Sequence, residues 1–136
     1  MTQSRWARRG EYTPEAQNAE LLGMTYRELS GAIIGCAIEV HRELGPGLLE
    51  SVYEYCLARE LTAAGINFLR QHPVPLRYKG ERLETDFRLV LWVEQMIVVE
   101  IKAVDVIHER HRAQLLGYLK LTDTRLGLLL NFNEAT

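Results

Sequence analysis

The sequence lacks a long apolar run and a strong charge of either sign. None of its apolar stretches approaches the roughly 20 residues that a membrane-spanning helix requires, so we expect no membrane segment. Lysine and arginine total 16 and acidic residues 18, a net charge of −2. This balance disfavours a broad nucleic-acid-binding surface, although a local basic groove stays compatible with it. The first ten residues contain no apolar segment typical of a secretory signal, and we expect a cytoplasmic location.

Cysteine is also scarce. The two cysteines, Cys36 and Cys56, lie in apolar stretches without the spacing of metal ligands. They are therefore predicted to be buried free thiols rather than a disulfide or a zinc site. The 136 residues, of which 47% are apolar, suit one domain with a modest core.

The domain is predicted to begin after a polar amino-terminal segment. Residues 1–23 have little periodic apolar content, and we interpret them as a mobile arm that orders on a partner. Residues 24–136 form the predicted domain. No internal repeat is visible in it.

Three helices are predicted from helical periodicity and its punctuation. Thr25 and Glu28 form a capping box at the start of the first helix, and Gly45-Pro46-Gly47 ends it. The second helix is predicted over residues 48–64 and the third over residues 109–121. His108 and His111 at the start of the third helix are expected to be solvated or to cap it, since no third metal ligand is evident.

Four strands complete the pattern. Residues 68–78 contain Pro73 and Pro75 and are predicted to form an edge strand or an interrupted strand. Strands over residues 86–93 and 97–102 are joined by a tight turn at Glu94-Gln95. The third helix then separates the strand at 97–102 from one at 126–132, which favours parallel pairing of these two strands. The sequence thus predicts an α/β (α+β) fold, a mixed central sheet flanked by helices.

A charged pair interrupts the most apolar of these strands. Glu100 and Lys102 lie in the run Ile97-Val98-Val99-Glu100-Ile101-Lys102-Ala103. Burying two charges costs several kcal/mol unless they pair, bind a metal or face a cleft. Two-residue spacing puts both side chains on one face, about 6.6 Å apart along the strand. A carboxylate and an ammonium held in this way suit metal-assisted phosphodiester chemistry.

Four motifs in order carry a resemblance to a known family. They are Gly47-Leu48-Leu49-Glu50-Ser51-Val52-Tyr53, Glu100-Ile101-Lys102, Gln114-Leu115-Leu116-Gly117-Tyr118 and Gly127-Leu128-Leu129-Leu130-Asn131-Phe132-Asn133. With them the chain resembles the PD-(D/E)XK nuclease superfamily, and within it the GxxExxY family. The resemblance implies a restriction-endonuclease-like core over most of residues 25–133.

The resemblance also implies a site. Glu50 and Glu100 would be metal ligands, and Lys102 would assist the attacking water. Gln114 and Tyr118 would line the same cleft. The expected cofactor is Mg²⁺, which takes carboxylate and water oxygens at about 2.1 Å and activates water. Tyr53 is expected to be a packing residue with a hydrogen-bonded hydroxyl group.

The chain departs from the family pattern at one position. The resemblance places an aspartate, the central metal ligand, where this sequence has Val90. By the two-residue period of a strand, we expect Val90 to share a face with Arg88 and Trp92. Asp86 and Glu94 each lie four residues away, about 13 Å along a strand. Asp105 is expected beyond the end of its strand, so none of these acids is a convincing replacement.

Three functions therefore stay open. The first is a nuclease-fold protein with impaired or lost metal-dependent cleavage that binds nucleic acid, DNA or RNA, or a protein partner. The second is an active Mg²⁺-dependent nuclease with an unrecognised replacement ligand. The third is a self-assembling scaffold, a homo-oligomer that uses its exposed hairpin edge and its arm for contacts.

Overall fold

A computed structural model describes residues 3–8 and 24–133, apart from the side chains of residues 3–8 and 84–86. Three helices and five strands lie in this part of the chain. The helices are α1 (Tyr26–Leu44), α2 (Glu50–Ala63) and α3 (Glu109–Thr122). The strands are β1 (Gln3–Arg8), β2 (Phe68–Tyr78), β3 (Glu81–Val93), β4 (Ile97–Lys102) and β5 (Leu126–Asn131).

The strands form one mixed sheet in the order β1-β5-β4-β3-β2. β4 and β5 run parallel, as the intervening α3 led us to expect, and the other neighbours are antiparallel. β2 is an edge strand of this sheet, as predicted. The predicted α+β fold class is confirmed. β3 starts five residues earlier than predicted, because the turn at Lys79-Gly80 leads straight into it.

The helices cover both faces of the sheet. α1 begins at Thr25, whose Oγ1 accepts a hydrogen bond from the Glu28 amide at 3.0 Å, and ends before Gly45, which has φ 67°. α1 and α2 pack on one face, and the apolar cluster between them and the sheet includes Ile33, Leu57 and Val99. α3 packs on the other face in a smaller cluster with Val98, Leu115, Leu119 and Leu129.

The amino-terminal strand was not predicted from the sequence. Gln3–Arg8 pairs antiparallel with β5, with Gln3 opposite Asn131 and Arg8 opposite Leu126. Residues 1–2 and 9–23 of the predicted arm lie outside the described residues, so its mobility stays a prediction. Neither cysteine forms a disulfide, and both are partly rather than fully buried. No described helix is long and apolar enough to cross a membrane.

Candidate functional site

The buried carboxyl group of Glu100 is the least satisfied polar group near the end of β4. Glu100 is 6% exposed, and its Oε1 has no hydrogen-bond partner among the described residues. Burial raises the pKa of this carboxyl group from 4.5 to about 7. Lys102 and a hydrogen bond from the Val90 amide offset part of this effect, whereas Glu50 and Glu54 add to it. At neutral pH a large fraction of Glu100 is therefore protonated.

Lys102 is held at the carboxyl end of β4. It lies on the same side of the strand as Glu100 and is partly buried. Its carbonyl accepts a hydrogen bond from the Phe132 amide at 2.8 Å, which fixes the end of β4 against the residue after β5. The backbone that carries Lys102 is therefore held in place at the end of β4.

The first turn of α3 lies beside Lys102. The pKa of His111 is lowered by desolvation and then by the charges of Lys102 and Arg110, which places the imidazole in the field of the lysine. The Nδ1 atom of His111 accepts a hydrogen bond from the His108 amide at 3.0 Å. The predicted capping role is confirmed for His111.

Glu50 links α2 to the end of β4. We call the region around Glu50, Glu100 and Lys102 the corner. It is the first residue of α2, and its Oε2 accepts a hydrogen bond from the Ala103 amide at 2.9 Å. Ala103 directly follows Lys102, so this bond joins the helix start to the end of β4. One oxygen of Glu50 is thus engaged by the backbone.

Tyr53, one turn after Glu50, has a structural role. Its hydroxyl group donates to the Gly45 carbonyl at 2.6 Å and accepts from the Leu48 amide at 3.1 Å. Its fully buried ring stacks on Phe132 with centroids 4.5 Å apart. The expected packing role with a hydrogen-bonded hydroxyl group is confirmed.

Of the two α3 residues expected at this site, Tyr118 lies near Glu100, whereas Gln114 is exposed. Burial and the charge of Glu100 both raise the pKa of Tyr118, so the structure brings these two side chains together. The Tyr118 ring also meets Phe87 edge-on at 6.1 Å. Gln114, one turn earlier, is exposed and makes no hydrogen bond with the described residues.

Val90 lies beside Glu100, but its side chain points elsewhere than expected. The ladder pairs Leu91 with Val99, so Val90 comes one residue further, where β3 and β4 separate. Val90 packs against the cluster under α1 and α2, whereas Trp92 packs against the cluster under α3. The expectation that these two share a face was wrong.

An irregularity in the neighbouring strand accounts for this difference. Gln71 has φ 48°, and the β2–β3 ladder omits it between the pairs Arg70–Leu91 and His72–Leu89. The regular alternation of β3 is interrupted at the same place, since Leu91 and Leu89 belong to different clusters. The Arg88 guanidinium donates to the Gln71 carbonyl at 3.0 Å and so holds the irregular segment in place.

Glu54 is a member of this corner that the sequence analysis missed. It lies one turn after Glu50 and is 7% exposed. Arg70 forms an ion pair with its Oε2 at 3.0 Å, and the Gln71 amide group donates to its Oε1 at 2.8 Å. The four-residue spacing from Glu50 was the available signal, but nothing local indicates that Glu54 lies near Glu100.

A mixed sheet between two helical layers, with a carboxylate and a lysine at the end of a central strand, defines a nuclease-type core. The model of the PD-(D/E)XK nuclease superfamily matches residues 27–136, and the chain belongs to this superfamily. No curated protein matches the chain, and no solved structure does.

The superfamily is typically metal-dependent, but the donor set of this chain does not fit a magnesium ion. Glu50 is engaged by the Ala103 amide and Glu54 by two side chains of β2. The other candidate acids are occupied as well, Glu94 by the Asn67 amide and Asp105 by the Asn133 side chain. Within residues 24–83 and 87–133, no three His, Cys, Asp or Glu side chains are grouped to hold a metal ion. Mg²⁺ prefers several oxygen ligands in near-octahedral geometry.

Proposed function

We propose that this chain is a GxxExxY-type nuclease-fold domain that binds nucleic acid in its cleft and has lost metal-dependent cleavage. The proposal rests on one observation, the apolar Val90 beside the buried and partly neutral Glu100. In an ancestral cleft of Glu50, Glu100, Lys102, Gln114 and Tyr118, a middle carboxylate would complete the metal ligands. Without it, Glu100 binds a proton more readily than a cation at neutral pH.

The charges that persist in the cleft favour a phosphate group. A protonated Glu100 removes the charge of one of the two carboxylates, Glu100 and Glu50, that lie near the ammonium group of Lys102. His111 lies next to Lys102 at the start of α3, where the backbone amide dipoles also favour an anion. A phosphodiester placed there would be attracted, yet no metal-activated water would attack it.

A metal titration tests the loss of the cation site. We expect calorimetry with Mn²⁺ or Mg²⁺ to show no stoichiometric binding by the native chain. Val90→Asp puts a carboxylate on the residue whose amide binds Glu100 and should create a Mn²⁺ site that raises the melting temperature. At a Mn²⁺ concentration of 100 times Kd, the free energy of unfolding should rise by about 2.7 kcal/mol. Val90→Asn, of the same shape without the charge, should show no such gain. Stoichiometric binding by the native chain would contradict the proposal.

Binding and cleavage of DNA test the rest. We expect the fluorescence anisotropy of a labelled 24-base-pair duplex to show salt-dependent binding in EDTA, since phosphate contacts release counterions. Lys102→Gln should weaken this binding. With Mg²⁺ or Mn²⁺ the duplex should stay intact on a denaturing gel. Cleavage that Lys102→Ala abolishes would instead support the active nuclease. A large assembly by light scattering, without DNA binding, would support the scaffold.

A further inference from the structure

The hairpin of β2 and β3 extends beyond the rest of the sheet. β3 pairs with β4 only over Leu91–Val93, whereas its ladder with β2 continues to the pair Tyr78–Glu81. The base of the hairpin is anchored, because Val74 and Phe87 pack against the cluster under α3. Beyond an irregularity between Val74 and Leu76, residues 77–82 are exposed. We call these six residues the hairpin tip.

The hairpin tip concentrates positive charge in an unfavourable arrangement. It holds Arg77, Lys79 and Arg82 but only one carboxylate, Glu81. Arg77 lies directly opposite Arg82 in the ladder, and like charges at such positions destabilise a sheet. Among the described residues, no ion pair joins either guanidinium to a carboxylate. Lys79 lies over the ring of Tyr78 at 5.5 Å, and that ring is 61% exposed.

We propose that the hairpin tip binds the phosphate backbone of duplex DNA next to the duplex segment that occupies the cleft. This inference depends on the nucleic-acid binding proposed above. An anion between Arg77 and Arg82 relieves the repulsion that the free protein carries. DNA supplies such anions at a spacing of one per about 1.7 Å of helix axis.

The dimensions of the hairpin favour B-form DNA. Arg82 lies eight residues from Val90 along β3, about 26 Å at 3.3 Å per residue. That length corresponds to about 8 base pairs of duplex at roughly 3.4 Å each. A two-stranded ribbon fits the major groove of B-form DNA, about 12 Å wide, whereas the major groove of RNA duplexes is too narrow.

A double neutralisation tests the hairpin tip. The variant Arg77→Gln with Arg82→Gln is compared with Arg27→Gln with Arg42→Gln, which removes the same charge from exposed positions of α1. Binding of the full chain to the labelled 24-base-pair DNA duplex is measured between 0.05 and about 0.5 M salt by anisotropy. We expect the slope of log K against log salt to be less negative by about 1.8 in the hairpin variant, since two phosphate contacts are lost. At 0.1 M salt this change corresponds to roughly 60-fold weaker binding. The α1 variant should lose less than about 3-fold.

Two further measurements separate a contact from a structural effect. The hairpin variant should melt at the same temperature as the native chain or higher, because its cross-strand repulsion is gone. On a duplex of about 5 base pairs, roughly 17 Å long and too short to span cleft and hairpin tip, the native chain and the hairpin variant should bind equally. An RNA duplex of the same 24-base-pair sequence should bind more weakly than DNA and be less affected by the hairpin variant.

The outcomes also separate this inference from the proposed function. If Lys102→Gln weakens binding while the hairpin variant keeps the native affinity and slope, the cleft binds DNA and the inference about the hairpin tip is wrong. Equal losses in the hairpin and α1 variants would also overturn it. If the native chain binds no nucleic acid at any salt concentration, both proposals fail together.

Discussion

Two buried polar groups near Glu50, the Tyr53 hydroxyl group and the Glu100 carboxyl group, differ in how fully they are hydrogen-bonded. The Tyr53 hydroxyl group both donates and accepts a hydrogen bond, and its ring is stacked on Phe132. The Glu100 carboxyl group has one oxygen that accepts no hydrogen bond from the part of the chain that the structure describes. Both side chains are almost inaccessible to solvent. The first region is the loop before α2, residues 45–49, and the second is the corner at the end of β4.

The difference in hydrogen bonding implies opposite effects of the two groups on stability. A fully satisfied buried group contributes to stability, whereas an unsatisfied one costs free energy and calls for a specific explanation, such as a catalytic role or a bound water or ion. Tyr53 therefore explains why the Gly47-x-x-Glu50-x-x-Tyr53 motif serves the fold: it holds the loop that starts α2. Under the proposed function, Glu100 belongs to a pocket in which Val90 takes the place of a third carboxylate.

The largest expected effect concerns the satisfied region. Tyr53→Ala removes a fully buried ring and should lower the free energy of unfolding by about 3–5 kcal/mol. Tyr53→Phe keeps the ring but leaves the Gly45 carbonyl and the Leu48 amide without their partner, and should cost about 1–3 kcal/mol. Urea unfolding followed by circular dichroism measures both values.

The pair of variants divides the contribution of Tyr53 between ring and hydroxyl group. Tyr55, two residues later and exposed, offers a matched control, and Tyr55→Phe should change stability by less than about 0.5 kcal/mol. If Tyr53→Phe were as stable as the native chain, the hydroxyl group would not anchor the loop. The contrast drawn between Tyr53 and Glu100 would then be wrong.

The second prediction concerns the pH dependence of the unsatisfied region. In the folded chain the pKa of Glu100 is about 7, above its ordinary value of 4.5, so between these values the folded state binds a proton that the unfolded state releases. Stability therefore decreases as the pH rises through this window, and the loss is complete above pH 7. The difference between the two pKa values corresponds to a loss of roughly 3 kcal/mol in the free energy of unfolding.

The variant Glu100→Gln isolates this contribution because it keeps the shape and removes the titration. Urea unfolding at several values from about pH 4.5 to pH 8.5 should show Glu100→Gln gaining roughly 3 kcal/mol relative to the native chain. Parallel stability curves for the two proteins would show that Glu100 titrates normally. The carboxyl group would then be more solvated than its surroundings indicate.

The smallest expected effect concerns the residue that joins the two regions. Glu50→Ala removes the hydrogen bond to the Ala103 amide and an acid from the first turn of α2. Because Glu50 is exposed, we expect a loss of only about 1 kcal/mol. Glu43, an exposed acid in the last turn of α1, provides the control, and Glu43→Ala should have a smaller effect. An equal effect of both variants would show that the bond to Ala103 contributes nothing measurable.

Much of the fold follows from local patterns. The bounds of α1 follow from Thr25 and Gly45, because capping and a positive φ are local requirements. The turn at Glu94-Gln95 follows from two adjacent apolar runs, and the parallel pairing of β4 with β5 from the intervening helix. The capping role of His111 was likewise predictable from its distance to His108.

Part of the corner at β4 did not follow from the sequence. Glu54 lies near enough to Glu100 to raise its pKa because α2 packs against β4, a contact between segments that are distant in the chain. Val90 and Trp92 face different clusters because Gln71, on another strand, interrupts the ladder. The pairing of β1 with β5 joins residues more than 100 positions apart, which no local pattern specifies.

The sequence by itself determined the three helices and the four strands from β2 to β5, the two-residue spacing of Glu100 and Lys102, and the presence of valine at position 90. These are properties of periodicity and residue identity along one segment. Only the tertiary structure decided that Glu100 is buried, with one oxygen unpaired within residues 24–83 and 87–133, that Glu50 binds the Ala103 backbone, and that Arg77 lies opposite Arg82. Burial, hydrogen-bond partners and cross-strand register arise when separate segments meet, so they depend on the packed sheet rather than on any one stretch of chain.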